Sequence, residues 1–584
     1  MEPPETIIPY APIRKHAVIG DRRTAALVAA DGTIDWMCLP DYGGEPVFAA
    51  LLDAQRGGYF RFGPRARAWG TQRYLDGAAV VETRYPVAGG ELVAQDAMPL
   101  PDDVRPEATA GHRVILRRLS STASRVACLL DLRPRTEDVH LFCSHAPSGV
   151  RGPFEFELAP GEEAWAVLSY GDQRPWTPDR AREAMDDTVA RWRRWTGRLR
   201  FEGRRRERVL QSLLVIRLLG FAPTGSLVAA PTTSLPERIG GDWNADYRLA
   251  WVRDGSLSLQ ALARHGDAAA AQRYFDWLIG LRAPKDGPLQ VLYGVDGAPE
   301  HRTQDRRDFE GYRHSAPVRF GNHAYRQKQL GMFGFLADCA SSYREHGGTW
   351  RDEYFDLIAR AADHCAAHWS EADNGIWELA ERRHRVSSRV GSWVALDRAA
   401  KLAEATGCGG RAAPWHEAMR AIRDEVLGRG YSERLGAFRE DLEGQSLDAA
   451  NLLVPILRFL PGDDPRVVST VDAIARDLTI DGWVHRFVPR EAGAGTTLAL
   501  GDFEGSFVLC TCWLASAYAL GGRLDEAETV LDRVDEAAGP LGLLPEGIDA
   551  RTGEFLGNYP LLFSHAEYVR AAVEIEHARA RARG

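Results

Sequence analysis

No disulfide framework can be built from the eight cysteines of this 584-residue chain. Cys38, Cys128, Cys143, Cys339, Cys365, Cys408, Cys510 and Cys512 are scattered, without a CxxC pair or regular spacing, which fits reduced and mostly buried thiols. Long apolar runs are missing as well: windows such as Phe507 to Leu520 are too short, and too interrupted by Thr511 and Ser516, to span a bilayer. There is no basic excess. Lys and Arg number 72 against 81 Asp and Glu, and the net charge of -9 argues against nucleic acid or an anionic membrane as partner. The first ten residues, Met1 to Tyr10, carry acids and prolines where a secretory leader needs basic residues and an apolar run, so the expected location is the cytoplasm. Metal-ligand spacing is nearly absent. His364 and His368 lie one helical turn apart, as ligands can, but no Glu follows the first and no third ligand accompanies them, so packed or surface histidines are expected and no metal or other cofactor is invoked.

What is present is enough chain for a large core, with 45% hydrophobic and 26% charged residues, as in an ordinary globular protein. Up to about residue 175 the apolar period is two and the turns are tight. Thr24 to Ala30 and Thr33 to Leu39 flank Asp31-Gly32, which predicts a hairpin closed by a type I′ turn with positive φ at both central residues. Gly89-Gly90 sits likewise between Val80 to Tyr85 and Glu91 to Gln95, and His112 to Leu119 and Ala164 to Tyr170 also read as strands. An antiparallel β-sandwich buries such one-sided strands.

Near Thr177 the pattern changes to a charged helical run, Asp179 to Trp195, which reads as a connector. Beyond it, periods of three to four recur about twelve times: Val209 to Leu219, Ser256 to His265, Ala268 to Gly280, Ala324 to Tyr343, Tyr354 to Trp369, Val394 to Ala405, Pro414 to Leu427, Leu447 to Phe459, Val467 to Leu478, Ser506 to Leu520, Leu524 to Ala537 and Leu561 to His577. Twelve helices without a sequence repeat imply paired inner and outer rings, an α/α toroid whose pocket is built by the loops at one end. The expected organisation is a β-sandwich over 1–175, a helical connector over 176–205 and the toroid over 206–584.

One stretch carries a chemical signature. Asp246 to Asp254 reads Asp-Tyr-Arg-Leu-Ala-Trp-Val-Arg-Asp, and in a helical or near-helical turn Tyr247 and Trp251 share a face. Flat aromatic faces suit the apolar C–H faces of a pyranose. Arg253, donor only, and Asp254, acceptor only, can together serve a sugar hydroxyl that both donates and accepts. Taken alone, the same nonapeptide also fits a surface ion pair beside a core tryptophan.

Cleaving a glycosidic bond takes two carboxyl groups on opposite sides of the anomeric carbon, one to protonate the leaving oxygen and one to activate water or attack directly. With 81 acidic residues, spacing alone cannot choose them. Loop position and aromatic company narrow the field to Glu378, after a turn in Asp373-Asn-Gly-Ile-Trp-Glu, and Glu546, in Gly542-Leu-Leu-Pro-Glu-Gly between two helices. Trp377, beside one of them, is the tryptophan expected to touch sugar.

From end to end the chain resembles bacterial members of glycoside hydrolase family 15, the glucoamylase and α,α-trehalase family. Ile19 to Val28, Gly32 to Trp36 and Val47 to Asp53 resemble its trehalase-like β-domain, and the Tyr247, Trp251, Arg253, Asp254 pattern resembles its sugar-binding loop. Leu289 to Gly297, Glu310 to Arg313, Pro317 to Asn322 (which contains Arg319), Trp393 to Arg398, Gly557 to Pro560 and Phe563 to His565 match further, in order. The resemblance implies a β-sandwich followed by an (α/α)6 barrel, Glu378 as general acid, Glu546 as general base, inversion at the anomeric centre, and sugar contacts from Tyr247, Trp251, Arg253, Asp254, Arg319 and Trp377. The chain departs from the family where Gly547 replaces the Gln often found after the base, at Ser387 to Ser392, at Leu249 and at Leu561-Leu562.

Two rivals belong to other classes. Inverting phosphorylases share the architecture but use phosphate in place of the activated water, and so have no use for a carboxylate at Glu546. A sugar-binding protein without catalysis has no reason to keep both carboxylates. The expected function is therefore inverting hydrolysis of an α-glucoside, with α,α-trehalose ahead of maltose-type and isomaltose-type oligosaccharides; a small carbohydrate is the partner, and a homo-oligomer is left open.

Overall fold

The computed structural model describes residues 5–100, 113–123, 125–171, 175–282, 284, 287–488 and 500–583. Thirteen strands come first: β1 His16–Gly20, β2 Ala25–Ala29, β3 Thr33–Leu39, β4 Glu45–Phe48, β5 Tyr59–Pro64, β6 Thr71–Tyr74, β7 Val81–Val87, β8 Gly90–Ala97, β9 Arg113–Ser121, β10 Val126–Arg133, β11 Val139–Cys143, β12 Phe154–Leu158 and β13 Glu163–Tyr170. They form two antiparallel sheets, ordered β1-β2-β3-β5-β10-β12, with β4 on β3, and β11-β13-β9-β8-β7-β6. Arg117 of β9 ties one sheet to the other. Its guanidinium is held by Asp96 at 2.6 Å and donates to the carbonyls of Phe60 and Gly32, both at 2.8 Å. A buried cation of this kind is stable because each of its three nitrogens finds an acceptor.

One local expectation needs correction. The β2–β3 connection is not a two-residue type I′ turn: β2 ends at Ala29 and β3 starts at Thr33, and of the turn residues only Gly32 has positive φ, 89°. The Asp31 carboxylate takes the amide of Thr33 at 3.0 Å and closes the turn itself, as short polar side chains do. The β7–β8 turn is tighter, pairing Val87 with Gly90 around Gly89 at φ 79°. His112, where a strand was expected to begin, lies outside the described residues, as do Met1 to Pro4 of the N-terminal stretch.

Helices follow: α1 Pro178–Thr196, α2 Arg206–Leu218, α3 Val252–Arg264, α4 Ala268–Gly280, α5 Met332–Glu345, α6 Asp352–His368, α7 Val386–Ala405, α8 Ala413–Glu425, α9 Leu453–Ile456, α10 Pro465–Asp477, α11 Val508–Leu520, α12 Leu524–Ala538 and α13 Leu562–Arg583. Thr177 caps α1 through its hydroxyl, with Pro178 in the first turn, where its missing N–H costs nothing. Helices α3, α5, α7, α9, α11 and α13 contact one another in sequence and close the ring, and α2, α4, α6, α8, α10 and α12 pack outside them, giving an (α/α)6 barrel. Sequence explains the layers. In α12 only Ala527, Leu531 and Val534 are buried, one stripe on a charged helix, whereas α11 is buried from Val508 to Ala519.

The periodicity expected over Ala324 to Tyr343 begins in a separate turn, His323–Arg326, and the helix proper starts at Met332. The segment over Leu447 to Phe459 shrinks to a 3-10 turn, Ala449–Leu452, and the four residues of α9, after which Arg458 turns left-handed at φ 63°. Beyond residue 230 the described residues form only ribbons of two or three short strands. No helix among them is long and apolar enough to cross a membrane.

Candidate active site

One end of the barrel opens into a cavity of about 470 Å³, within the roughly 300–1,000 Å³ usual for small-molecule sites. All eight residues singled out by sequence line it: Tyr247, Trp251, Arg253, Asp254, Arg319, Trp377, Glu378 and Glu546. They come from separate loops, and the Asp246 to Asp254 stretch joins them.

That stretch is not helical at its aromatic end. α3 begins at Val252, and before it the chain is extended, with the amides of Ala230 and Ala229 donating to the carbonyls of Tyr247 and Leu249. Four fully extended residues would set the rings about 13 Å apart; a bend at Leu249 shortens the run, and the centroids lie 5.4 Å apart. Each ring carries a polar tip, and each tip holds one carboxylate. Tyr247 donates its hydroxyl to Glu546 Oε1 at 2.5 Å, and Trp251 donates Nε1–H to Glu378 Oε1 at 2.6 Å. Two residues four apart thus fix two glutamates that the chain keeps 168 positions apart (546 − 378).

Arg253 and Asp254 lie in the first turn of α3, both buried. Arg253 Nε donates to Asp254 Oδ1 at 2.7 Å and Nη1 to the Ile376 carbonyl at 3.1 Å and to Gln329 at 3.3 Å. Arg253 Nη2 and Asp254 Oδ2 have no protein partner among the described residues, which leaves one donor and one acceptor side by side for a ligand. Burial pushes the Asp254 carboxyl up, against the pull of Arg253.

Glu378 ends a loop stitched to its surroundings. Asp373 accepts from the Leu330 amide at 2.9 Å and from Ser388 at 2.9 Å, and Asn374 donates to the Leu379 carbonyl at 2.8 Å. Glu378 itself is held at φ 59°, left-handed for a residue with a Cβ, a strain of order 1–3 kcal/mol of the kind found at functional sites. Its Oε1 takes Trp251, with Gln329 Nε2 at 3.3 Å and Arg253 Nη1 at 3.6 Å, and its Oε2 has no protein partner among the described residues. Trp377, next to it, is more core than platform: it is 7% exposed, bonded through Nε1 to Asp448 at 2.8 Å, and packed on Trp513 and Phe507. Arg319 reaches the rim, donating to the Asp242 carbonyl at 2.6 Å.

Glu546 is buried, and both oxygens accept: Oε1 from Tyr247 and Oε2 from the Asn558 amide at 3.0 Å. Its carboxyl is pushed up to about 7, chiefly by burial, with Tyr247, Asn558 and Arg486 opposing and Glu504 adding to the rise. Burial and the neighbouring Glu546 carboxylate raise the Tyr247 phenol as well, so Tyr247 remains the donor in this pair.

Sequence reasoning missed the charges behind Glu546. Arg486 lies between Glu237, at 2.8 Å, and Glu504, whose Oε1 accepts from Nε at 3.1 Å, and its guanidinium covers the Phe507 ring at 4.0 Å. Glu237 and Arg486 line the cavity. Burial holds the Glu237 carboxyl well above its usual range, with Arg486 opposing and Glu546 and Glu504 reinforcing it. The available signal was an arginine inside the apolar run Trp483-Val-His-Arg-Phe-Val. His364 and His368 stand apart from this cavity, His364 against the Phe333 ring and His368 bonded to Glu371 at 2.6 Å.

Comparison with known proteins adds independent evidence. The model of glycosyl hydrolases family 15 matches residues 203–573, and that of trehalase-like N-terminal domains matches 9–141. A trehalase of Mycolicibacterium smegmatis is 32% identical over 98% of this chain and 92% of its own. A trehalase of Thermoplasma volcanium is 31% identical over 98% and 95%. An isomaltose glucohydrolase of Kribbella flavida is 27% identical over 60% of this chain and 88% of its own. Among solved structures, a bacterial glucoamylase complexed with acarbose superposes with a TM-score of 0.68 at 13% identity, covering 99% of this chain and 96% of that one, a likeness of fold.

Proposed function

Because the chain belongs to glycosyl hydrolases family 15 and is a glycoside hydrolase, we propose that it cleaves α,α-trehalose to two glucose molecules with inversion, Glu378 acting as general acid and Glu546 as general base. The observation that carries this reading is that the two glutamates line one cavity, each steadied by one ring of the Tyr247–Trp251 pair.

The hydrogen bonds support the division of labour. A general acid must present a proton outward, and Glu378 has an oxygen, Oε2, free of protein partners. A general base must hold a charge and aim it at water. Both oxygens of Glu546 already accept from fixed donors, which suits a carboxylate better than a carboxylic acid. Water placed between Glu546 and the anomeric carbon attacks as Glu378 protonates the departing glycosidic oxygen. An inverting reaction of this kind requires the two carboxyl groups to stand roughly 6.5–9.5 Å apart. Arg253 and Asp254 grip hydroxyls of the retained glucose at the closed end, and Tyr247, Trp251, Trp377 and Arg319 shape the walls.

Trehalose is favoured over maltose-type and isomaltose-type substrates because the relatives named trehalases align over the whole chain, both β-domain and barrel, while the isomaltose glucohydrolase aligns over 60% of it. The same reading places the enzyme with cytoplasmic sugars and divides the chain at about residues 175 and 205. Proton NMR at early times tests it. Trehalose turnover must release one α- and one β-glucose, since inversion acts on only one of the two anomeric centres; turnover of maltose or isomaltose without trehalose would overturn the substrate choice.

A further inference from the structure

Among the described residues, Trp243 stands out as a large apolar side chain that lines the cavity and is still 38% exposed. The residues at the closed end are far more buried: Trp251 is 3% exposed, Asp254 4% and Glu546 2%. Exposure therefore marks depth, and Trp243 sits at the mouth.

Its backbone is not loose. Asn244 donates to the carbonyls of Gly241 and Ser315 at 3.3 Å and Pro317 at 3.1 Å, Gly240 donates its amide to Ser315 Oγ at 2.9 Å, and Arg319 holds the Asp242 carbonyl. The indole is thus a fixed apolar plate at the entrance. Phe503 backs it edge-on, with ring centroids 4.5 Å apart. An indole left this exposed adds little to the core, so its placement makes sense as a surface for something that enters the cavity.

In a pocket closed behind Arg253 and Asp254, the retained sugar fills the deep end, and the leaving sugar can only lie on the mouth side of the scissile bond. We propose that Trp243, backed by Phe503, is the platform for the leaving sugar: its ring takes the apolar face of that pyranose and so selects glucosides whose leaving group is itself a sugar. The inference rests on the inverting α-glucosidase reading above and names a specificity residue for it. An aromatic plate contacts a pyranose by its C–H face and does not read linkage. It separates disaccharides from glucosides with small leaving groups.

The rival role is structural. Trp243 also lies 5.5 Å from the Arg486 guanidinium, and through Arg486 it could steady Glu546. A substrate without a leaving sugar separates the two. α-Glucosyl fluoride fills only the deep end; water adds at its anomeric carbon, the C–F bond breaks, and fluoride departs with the proton from the acid. In the full-length enzyme, Trp243→Ala is expected to lower kcat/KM on trehalose by about 10- to 100-fold, mainly through KM, and to change kcat/KM on α-glucosyl fluoride by less than about 2-fold. Trp243→Phe, which keeps a flat ring, is expected to restore most of the loss. Equal losses on both substrates, or no loss on trehalose, would overturn the platform. Wild-type enzyme inactive on both would remove the glucosidase reading itself, and activity on the fluoride and another disaccharide but not on trehalose would correct the substrate while the same comparison on that disaccharide decides Trp243.

Discussion

At the scale of single residues, Glu546, the proposed base, shows the cost of burying a carboxyl group. Its carboxyl is raised from an ordinary 4.5 to about 7 because burial penalises the charged form more than Tyr247, Asn558 and Arg486 relieve it. The sign for stability follows by linkage. A group whose folded pKa lies above its unfolded value favours the folded state while protonated, a contribution complete below about 4.5 and lost as pH climbs through about 7. Glu546→Gln keeps the shape and removes the charge. It should therefore melt above the wild type at pH 8, by an amount on the order of a few kcal/mol at most, with the gap closing toward pH 4.5. Activity should fall by orders of magnitude, and wild-type kcat/KM should decline as pH drops below about 7 and the base takes up its proton. Thermal melts of both proteins at the two pH values decide the matter; a variant that melts lower at pH 8 would mean that the two donors more than repay the desolvation.

At the scale of elements, the glutamates depend on backbone shape in their neighbours. Gly557 has φ 70°, and a Cβ placed there would lie 2.2 Å from Glu546 Oε2. Gly557→Ala is thus strained twice, by its left-handed backbone and by a direct clash with the carboxylate. It should cut kcat by at least about 100-fold with a far smaller effect on the far-ultraviolet dichroism, since a displacement of about 1 Å in a catalytic group is that expensive. A near-normal kcat would show that the Glu546 loop can shift without loss. The same contrast between regular and irregular elements governs what the sequence reveals. The stripe on α12 and the alternation in β9 are local, so period alone finds them. The run before α3 misled a helical reading because a bend at Leu249 brings residues i and i+4 together without a helix. Glu378 and Glu546 were narrowed by loop position and chosen by family resemblance. Arg486 and Glu237 were missed because they are 249 positions apart and meet only through the fold. The short α9 was overread for a related reason: Leu447 to Phe459 is mostly apolar, interrupted at Asp448, Asn451 and Arg458, and burial alone does not say where a helix stops.

At the scale of the whole molecule, the β-sandwich is joined to Glu546 through a short series of contacts. Trp36 of β3, fully buried, donates Nε1–H to the Pro231 carbonyl at 2.8 Å. The next residue, Thr232, donates its hydroxyl to Asn558 at 2.9 Å and accepts the Tyr559 amide at 3.0 Å, and the Asn558 amide holds Glu546 Oε2. Tyr559 returns to the sandwich through its hydroxyl on the His16 carbonyl at 2.8 Å. A sandwich bonded on both sides of the Asn558 turn should position Glu546, the proposed base, as well as stabilise the barrel. Trp36→Phe tests this with the least disturbance, because it keeps an aromatic ring and leaves only the Pro231 carbonyl unpaired, a cost of about 1–3 kcal/mol. The expected outcome is a lower urea midpoint together with a several-fold drop in kcat on trehalose in conditions where the variant is fully folded. Trp36→Ala, which also opens a cavity, should cost about 3–5 kcal/mol. If Trp36→Phe loses stability while kcat stays at the wild-type value, the sandwich supports the barrel without reaching the chemistry, and the position of Glu546 is set within the barrel by Tyr247 and Asn558 alone.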